Sequence, residues 1–378
     1  MKIGLLANPG SPVESVRGLL ESLVTAGIVD EILAPAAQGS GNATLALFAD
    51  PATFPAMLPF SPVMPVQAAR MVSRIAFNDP GARIAVVLKP CEARAAVELI
   101  KLSQIRPENL LFVNIDCPGT VELAAFAKAG LDPVAEAERL AAQMEKGGAT
   151  APEGAPLRTA CSVCENPEAG WGELRVHAFG AKAGEPLGIE AEEGLAAKLE
   201  AAGAARFEGA GLLARPAVVS ALKAERVKAR ETLFAAFEKE ANGLDGLKKA
   251  FSTCIKCLNC MENCPICYCK LCIFKSTTFD HPAERYPRWA ARKGVQKMPA
   301  ETMLFHLTRL NHMASSCIGC GVCDTSCPMG LPVATLFRKV AASVQGMLEY
   351  VPGRSVEDAI PLSKFREDEL QAESGAKT

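Results

Sequence analysis

Short apolar runs alternate with amphipathic stretches in the first third of the chain. Residues 3–7, 84–88 and 110–115 are apolar runs of the length of a buried strand, whereas residues 68–77 and 94–102 have the pattern of helices. Strands that alternate with helices are typical of an α/β fold, in which helices cover a mostly parallel sheet. We therefore predict that the chain begins with an α/β domain.

The pattern changes along the chain and divides it into four predicted segments. Residues 1–185 form the α/β domain, in which the Pro-, Gly-, Ala- and Ser-rich residues 35–64 are predicted to be loop. Residues 186–247 are charged and helical, and we predict a connector there. Residues 248–350 contain repeated cysteine motifs and are predicted to be an α-rich, ferredoxin-like domain. Residues 351–378 are predicted to be a partly disordered tail, because the last part of this segment is polar and charged.

Composition limits the classes of function. The chain has 378 residues and a formal net charge of −2, so no general attraction to nucleic acid is expected. A run of about 18 apolar residues is missing, so we expect no membrane span. The first residues do not have the zones of a signal peptide, which predicts a cytoplasmic protein. Fifteen cysteines in such a chain favour reduced, metal-binding thiolates over disulfides.

Two copies of one motif, C-x2-C-x2-C-x3-C-P, begin at Cys254 and Cys317. Three cysteines of each motif ligate one [4Fe–4S] cluster, and the fourth ligates the other cluster of the pair. The two predicted ligand sets are therefore Cys254, Cys257, Cys260 and Cys327, and Cys317, Cys320, Cys323 and Cys264. Zinc is the alternative, but structural zinc sites usually pair two C-x2-C units and rarely use a third spaced cysteine before a proline.

Seven cysteines lie outside the two motifs. Cys161 and Cys164 have ligand spacing, and Cys117 follows a predicted strand, where ligand sites of parallel sheets gather. These three cysteines predict a third cluster, with a fourth ligand from the cysteine-rich block that follows the first motif. The candidates in that block are Cys267, Cys269 and Cys272. The alternative is that the surplus cysteines are buried, inert thiols.

Four stretches resemble the beta subunits of coenzyme F420-reducing hydrogenases and of formate dehydrogenases. They are LKPCEAR at 88–94, DCP at 116–118, CSVC at 161–164 and CPICYCKLC at 264–272. The resemblance runs from about residue 65 to about residue 350 and is strongest to bacterial versions in which a two-cluster ferredoxin module follows the family domain. In many members of the family the ferredoxin part comes first instead.

The resemblance implies a flavin, FAD, in the N-terminal domain and clusters that connect it to a catalytic subunit of a soluble complex. It places the flavin region near Lys89, Cys91 and Arg94, in the first of the four stretches. The partners that it implies are other subunits of a formate dehydrogenase, a hydrogenase or a heterodisulfide-reductase-like complex.

Our leading hypothesis is an iron–sulfur electron-transfer subunit of an oxidoreductase complex, which is not active alone. It relays electrons between a flavin and a partner that handles formate, hydrogen or a disulfide, because a flavin joins two-electron to one-electron chemistry. The alternative is a flavin-free, ferredoxin-type relay and docking subunit of a heterodisulfide-reductase-like complex. A further alternative is a sensor that uses the surplus thiols.

Overall fold

The computed structural model describes residues 1–38, 42–148, 150–209, 211–294, 299 and 301–363. Its N-terminal part is built on a seven-stranded sheet. The strands are β1 (Lys2–Leu6), β2 (Glu31–Gln38), β3 (Asn42–Phe48), β4 (Ile84–Leu88), β5 (Leu110–Ile115), β6 (Leu174–His177) and β7 (Leu187–Ala191).

The strand order is β1-β7-β6-β5-β4-β2-β3. The four central strands β2, β4, β5 and β6 pair in parallel, whereas β1, β3 and β7 add antiparallel pairs toward the two edges. Strand β4 is buried along its whole length, as expected of a strand that helices cover on both faces. The predicted α/β fold with a mostly parallel sheet is confirmed.

Helices cover the sheet and then form the C-terminal part. Those of the first part are α1 (Pro12–Thr25), α2 (Ala68–Ile75), α3 (Pro90–Lys101), α4 (Leu123–Lys128), α5 (Pro133–Gln143), α6 (Thr159–Ser162) and α7 (Glu193–Ala201). Those of the second part are α8 (Arg215–Glu240), α9 (Gly243–Ala250), α10 (Asn259–Glu262), α11 (Arg285–Lys293), α12 (Thr302–Met313), α13 (Val322–Thr325) and α14 (Val333–Met347). In the described chain, no helix is both long and apolar enough to cross a membrane.

The structure corrects three boundaries. Strands β2 and β3 extend into residues 35–64, which were expected to be loop, because Pro35–Gln38 pairs with Asn42–Leu45 as an edge hairpin. Strand β7 lies between β1 and β6, so the sheet continues past residue 185 and the connector cannot begin at 186. These strands were not predicted because residues 35–64 are rich in proline and glycine and because charged residues flank β7.

The beginning of the predicted tail is also packed, because a buried carboxylate on α3 binds it. Glu98 is 1% exposed and accepts hydrogen bonds from the Tyr350 hydroxyl at 2.5 Å and from the Gly353 amide at 2.8 Å. Lys101 forms a 3.3 Å ion pair with the same carboxylate. On the same helix, Arg94 donates two hydrogen bonds to the Pro352 carbonyl. The described chain after α14 is therefore anchored to the sheet domain, whereas residues 364–378 lie outside the described residues.

Replacing Tyr350 with Phe tests this anchor. The variant removes one donor from a buried carboxylate, so we expect the free energy of unfolding to fall by about 1–3 kcal/mol. Tyr286→Phe is the matched control, because Tyr286 is exposed. Anoxic thermal melts at one scan rate should show a lower midpoint for Tyr350→Phe only, and equal midpoints for the two variants would contradict the anchor.

Candidate metal centres

The first group of thiols combines three cysteines of the first motif with the last cysteine of the second. Burial is the main reason that the pKa of the Cys260 thiol rises to about 11; the Arg309 guanidinium opposes the rise, and the nearby thiolates of Cys254, Cys327 and Cys257 add to it. The thiolates of Cys327 and Cys257 likewise add to the effect of burial on the pKa of Cys254. Cys327 is thus brought to the loop that carries Cys254, Cys257 and Cys260, and the side chain of Cys257 is exposed.

The second group has the reciprocal composition. Cys264, from the end of the first motif, lines a cavity of about 30 Å³ together with Cys317, Cys320 and Cys323. Burial is the main reason that the pKa of each of the last three thiols rises, and the Cys264 thiolate adds to the rise at all three. The structure therefore brings together the same two sets of four cysteines that the motif predicts.

A third group of four thiols lies where the sheet ends. Cys91 follows strand β4 and Cys117 follows strand β5, which are parallel neighbours, so both residues lie at the same edge of the sheet. Helix α6 and the turn after it bring Cys161 and Cys164 to the same place. All four line one cavity of about 30 Å³, and Cys320 of the second group lines it too. The second and third groups are therefore direct neighbours.

The fourth member of this group differs from the one expected. The sequence pointed to Cys267, Cys269 or Cys272, but these three line a different cavity. Cys91 takes the position instead, because the buried carboxylate of Glu92 accepts hydrogen bonds from the Lys89 and Ala68 amides and fixes the start of α3. Sequence reasoning had set Cys91 aside as part of a flavin region, although its place directly after a buried strand is the same as that of Cys117.

The expected flavin region, Lys89, Cys91 and Arg94, lies at the same point. Arg94 donates hydrogen bonds to the carbonyls of Pro352 and Ile318, and it also lines a cavity of about 170 Å³. Lys89 is 4% exposed, and its charge acts on the Cys117 thiol, whose pKa it lowers against a larger rise from burial. Cys91 lines the cavity of the third thiol group. The binding of a flavin at these three residues stays a prediction.

The chemistry of the three groups fits iron–sulfur clusters. Burial raises the pKa of Cys117 and of Cys320 to about 12, so these thiols become thiolates only if a metal supplies positive charge. In the described ranges, no three His, Cys, Asp or Glu side chains converge closely enough to hold one metal ion. A cluster does not require that convergence, because each thiolate binds a different iron atom. Four thiols around a small cavity therefore suit a cluster better than zinc.

Comparison with known proteins agrees with this chemistry. Residues 250–331 match the 4Fe-4S dicluster domain. Over 303 residues the chain is 28% identical to the F420-dependent formate dehydrogenase subunit beta of Methanocaldococcus jannaschii. This match covers 74% of this chain and 75% of the relative. The match to F420-dependent formate dehydrogenase 1 subunit beta of Methanococcus maripaludis is 27% identical over 306 residues, with the same coverage.

The chain resembles F420-dependent formate dehydrogenase beta subunits. The resemblance noted in the sequence is therefore confirmed, and its C-terminal module is a dicluster domain. The F420-reducing [NiFe] hydrogenase complex from Methanosarcina barkeri contains a chain that aligns with 65% of this chain and 94% of its own length. That alignment has a TM-score of 0.46 and 11% identity, which does not establish a shared fold.

Buried arginines lie between the thiol groups, and sequence reasoning missed them. Arg158 is 2% exposed, and its guanidinium donates to the Cys320 carbonyl at 2.9 Å and lies 3.9 Å from the Cys161 sulfur. Arg309 is 3% exposed and donates to the Cys260 sulfur at 3.2 Å. The Nε2 atom of His306 lies 3.4 Å from the Cys254 sulfur, and burial lowers the pKa of His306 to about 4. In the sequence, the only local indication of such a contact was the position of Arg158 shortly before Cys161.

Arg158 should raise the reduction potential of the neighbouring dicluster domain, because a cation stabilises the more negative, reduced cluster. Arg158→Met should therefore lower the potential of the cluster signal nearest Cys320, measured by an anoxic redox titration followed by electron paramagnetic resonance. Arg158→Lys keeps the charge and should lower it less. Arg139→Met, which removes an arginine paired with Glu136 on α5, is the control. Unchanged potentials in Arg158→Met would contradict this role.

Proposed function

We propose that this chain is an iron–sulfur electron-transfer subunit of an oxidoreductase complex of the formate dehydrogenase or hydrogenase type. The observation that carries the proposal is the succession of three four-thiol groups. The third group shares a wall with the second through Cys320, and the second is joined to the first by the exchange of Cys264 and Cys327. Neighbouring clusters at such sites pass single electrons without a diffusing carrier.

We assign the ligands of the dicluster domain as crossed sets. Cys254, Cys257 and Cys260 act with Cys327, and Cys264 acts with the three remaining cysteines of the second motif. The bound clusters supply one-electron redox chemistry. The chain itself holds the thiolates and presents Cys257 at the surface. The exposed Cys257 makes the first group the natural point of contact for a partner subunit.

We also propose a third [4Fe–4S] cluster, held by Cys91, Cys117, Cys161 and Cys164. The support is the cavity that these four side chains line, together with the burial that raises the pKa of the Cys91, Cys117 and Cys164 thiols. Arg226 donates to the Pro118 carbonyl beside this group and offsets part of its negative charge, since it lowers the pKa of Cys164 against the larger effect of burial.

A relay subunit without flavin is the second candidate function, and the engagement of Lys89 and Arg94 favours it. Because Arg94 is hydrogen-bonded to two backbone carbonyls, we assign no step of the relay to a flavin at this place. The relatives are by name F420-dependent, and F420 is a two-electron carrier, so the complex as a whole needs a junction between two-electron and one-electron chemistry. The flavin content of the purified complex distinguishes the two candidates.

The relay is tested on the complex purified without oxygen through a tag on this chain. We expect a co-purifying catalytic subunit, at least about eight iron atoms per chain from the dicluster domain alone, and clusters that formate or hydrogen reduces. Zinc with little iron, or a chain that turns over a substrate alone, would contradict the proposal.

Double variants test the crossed ligands in the same preparation. Cys257→Ser/Cys327→Ser should lose one cluster, about four iron atoms, because both residues serve the same cluster. Cys257→Ser/Cys323→Ser should lose both clusters of the domain, about eight iron atoms. Loss of both clusters, about eight iron atoms, in each of the two double variants would show that the fourth cysteine of each motif serves its own loop.

The third cluster is tested separately with Cys161→Ser. This variant should lose about four iron atoms per chain while the resonances of the dicluster domain remain. Ser162→Ala changes the neighbouring residue on the same helix and is the control. Equal iron in both variants, at full loading, would rule out the third cluster.

A further inference from the structure

One cavity lined by described residues contains three thiols that the three groups do not use. It measures about 480 Å³, and Cys267, Cys269 and Cys272 line it. All fifteen cysteines lie in described parts of the chain, and the three groups account for twelve of them. The three that remain form one C-x-C-x2-C stretch, so they are not scattered, unrelated thiols.

This cavity lies directly beside the dicluster domain's second thiol group. Ile266, Arg309 and Met313 line both the large cavity and the small one around Cys317, so a single layer of side chains separates them. The charge of the Arg309 guanidinium also acts on the Cys267 thiol, where it opposes the effect of burial, which is the main reason that the pKa of this thiol rises to about 11. A cation already bound to the Cys260 sulfur is thus shared with the three-thiol stretch.

The loop that carries the thiols is fixed in place. Arg70 on α2 donates hydrogen bonds of 3.2 Å to the carbonyls of both Cys264 and Cys267. Its other terminal nitrogen lies 3.8 Å from Glu262, which also pairs with Lys275. The cavity is open to solvent on another side, since Leu271, which also lines it, is 97% exposed. The thiols therefore line a space that is held from one side and accessible from the other.

The spacing of the thiols argues against a single metal ion. Across the described ranges no three potential ligands converge on one point, and this is equally true of the eight cysteines of the dicluster domain. What the three thiols share is one short stretch of chain and one cavity. Among the described residues that line the cavity there is no fourth cysteine, and Glu262 is already paired with two cations.

We propose that Cys267, Cys269 and Cys272 bind an additional [4Fe–4S] cluster through three of its iron atoms. The fourth iron faces the cavity, which at about 480 Å³ is far larger than the cavities of about 30 Å³ at the four-thiol groups. This iron takes an external donor, such as a thiolate or another small anion. The existence of this cluster does not rest on the proposed function. Only a role of the cluster in electron transfer to or from the dicluster domain would rest on it.

Iron counting on the fully loaded chain is the first test. Four clusters give about 16 iron atoms per chain, and the Cys267→Ser/Cys269→Ser/Cys272→Ser variant should retain about 12. Lys270→Ser/Leu271→Ser is the matched control, because it changes two exposed residues of the same loop and keeps the thiols. Unchanged resonances of the dicluster domain in the triple variant show that the loss is local.

Cyanide is the probe for the open iron. Added to the reduced wild-type chain, it should shift the one resonance that the triple variant lacks and leave the others unchanged. A cyanide-insensitive spectrum would overturn the open coordination. Loss of one zinc ion from the triple variant, in place of iron, would overturn the cluster.

Saturation of the wild type at about 12 iron atoms would overturn the proposal without any variant. In that case a further fall to about eight in Cys161→Ser would show that the third cluster stands. The failure of this inference is therefore distinguishable from the failure of the proposed relay.

Discussion

The burial of negative charge on sulfur is the constraint on which the rest of the structure depends. A thiolate taken out of water is costly unless a cation accompanies it, and twelve thiols are gathered here into three adjacent groups. Iron supplies most of the compensation in a loaded site, and buried guanidinium groups supply more. Arg158 and Arg309 each lie against a cysteine sulfur and are almost fully buried, which an arginine rarely is without such a partner.

Arginines from the sheet domain also join the two halves of the chain. Arg94 and Arg158, from the sheet domain, donate to the carbonyls of Ile318 and Cys320 in the loop of the second motif. Arg70 does the same at the end of the first motif. Each guanidinium therefore satisfies a backbone acceptor beside a cluster loop and places a positive charge near its sulfurs. Docking of the module and electrostatic compensation of the thiolates cannot be separated, because the same side chains perform both.

The sequence was informative where a pattern is local. The spacing of each cysteine motif is set by one tight loop, and the buried run of β4 is apolar at every position, so both were predictable. The hairpin of β2 and β3 was not, because Pro35 lies in β2 beyond the residues that pair with β4, where its missing amide is tolerated. Cys91 was not grouped with Cys117 and Cys161 from the sequence, because these residues come to line one cavity only when β4 and β5 pair. Arg309 reaches Cys260 from 49 residues away, and such contacts leave no local signal.

The two cluster loops differ in composition because they lie in different surroundings. Equivalent positions have a left-handed backbone in both: Lys256 and Leu258 in the first loop, Gly319 and Gly321 in the second. A side chain in that conformation costs about 1–2 kcal/mol, so glycine is the favoured residue. At Gly321 there is a second reason, since a Cβ atom would lie 2.2 Å from that of Ala160 on α6.

The second loop thus lies against the segment that carries Cys161, and only glycine allows this approach. The first loop retains larger residues at the same strained positions. One of them has a use there, because the Lys256 ammonium pairs with Glu301, the residue that precedes α12. That pair ties the first loop to the helix that carries His306 and Arg309. The strain in this loop is therefore offset by contacts that position the groups around the Cys254 and Cys260 sulfurs.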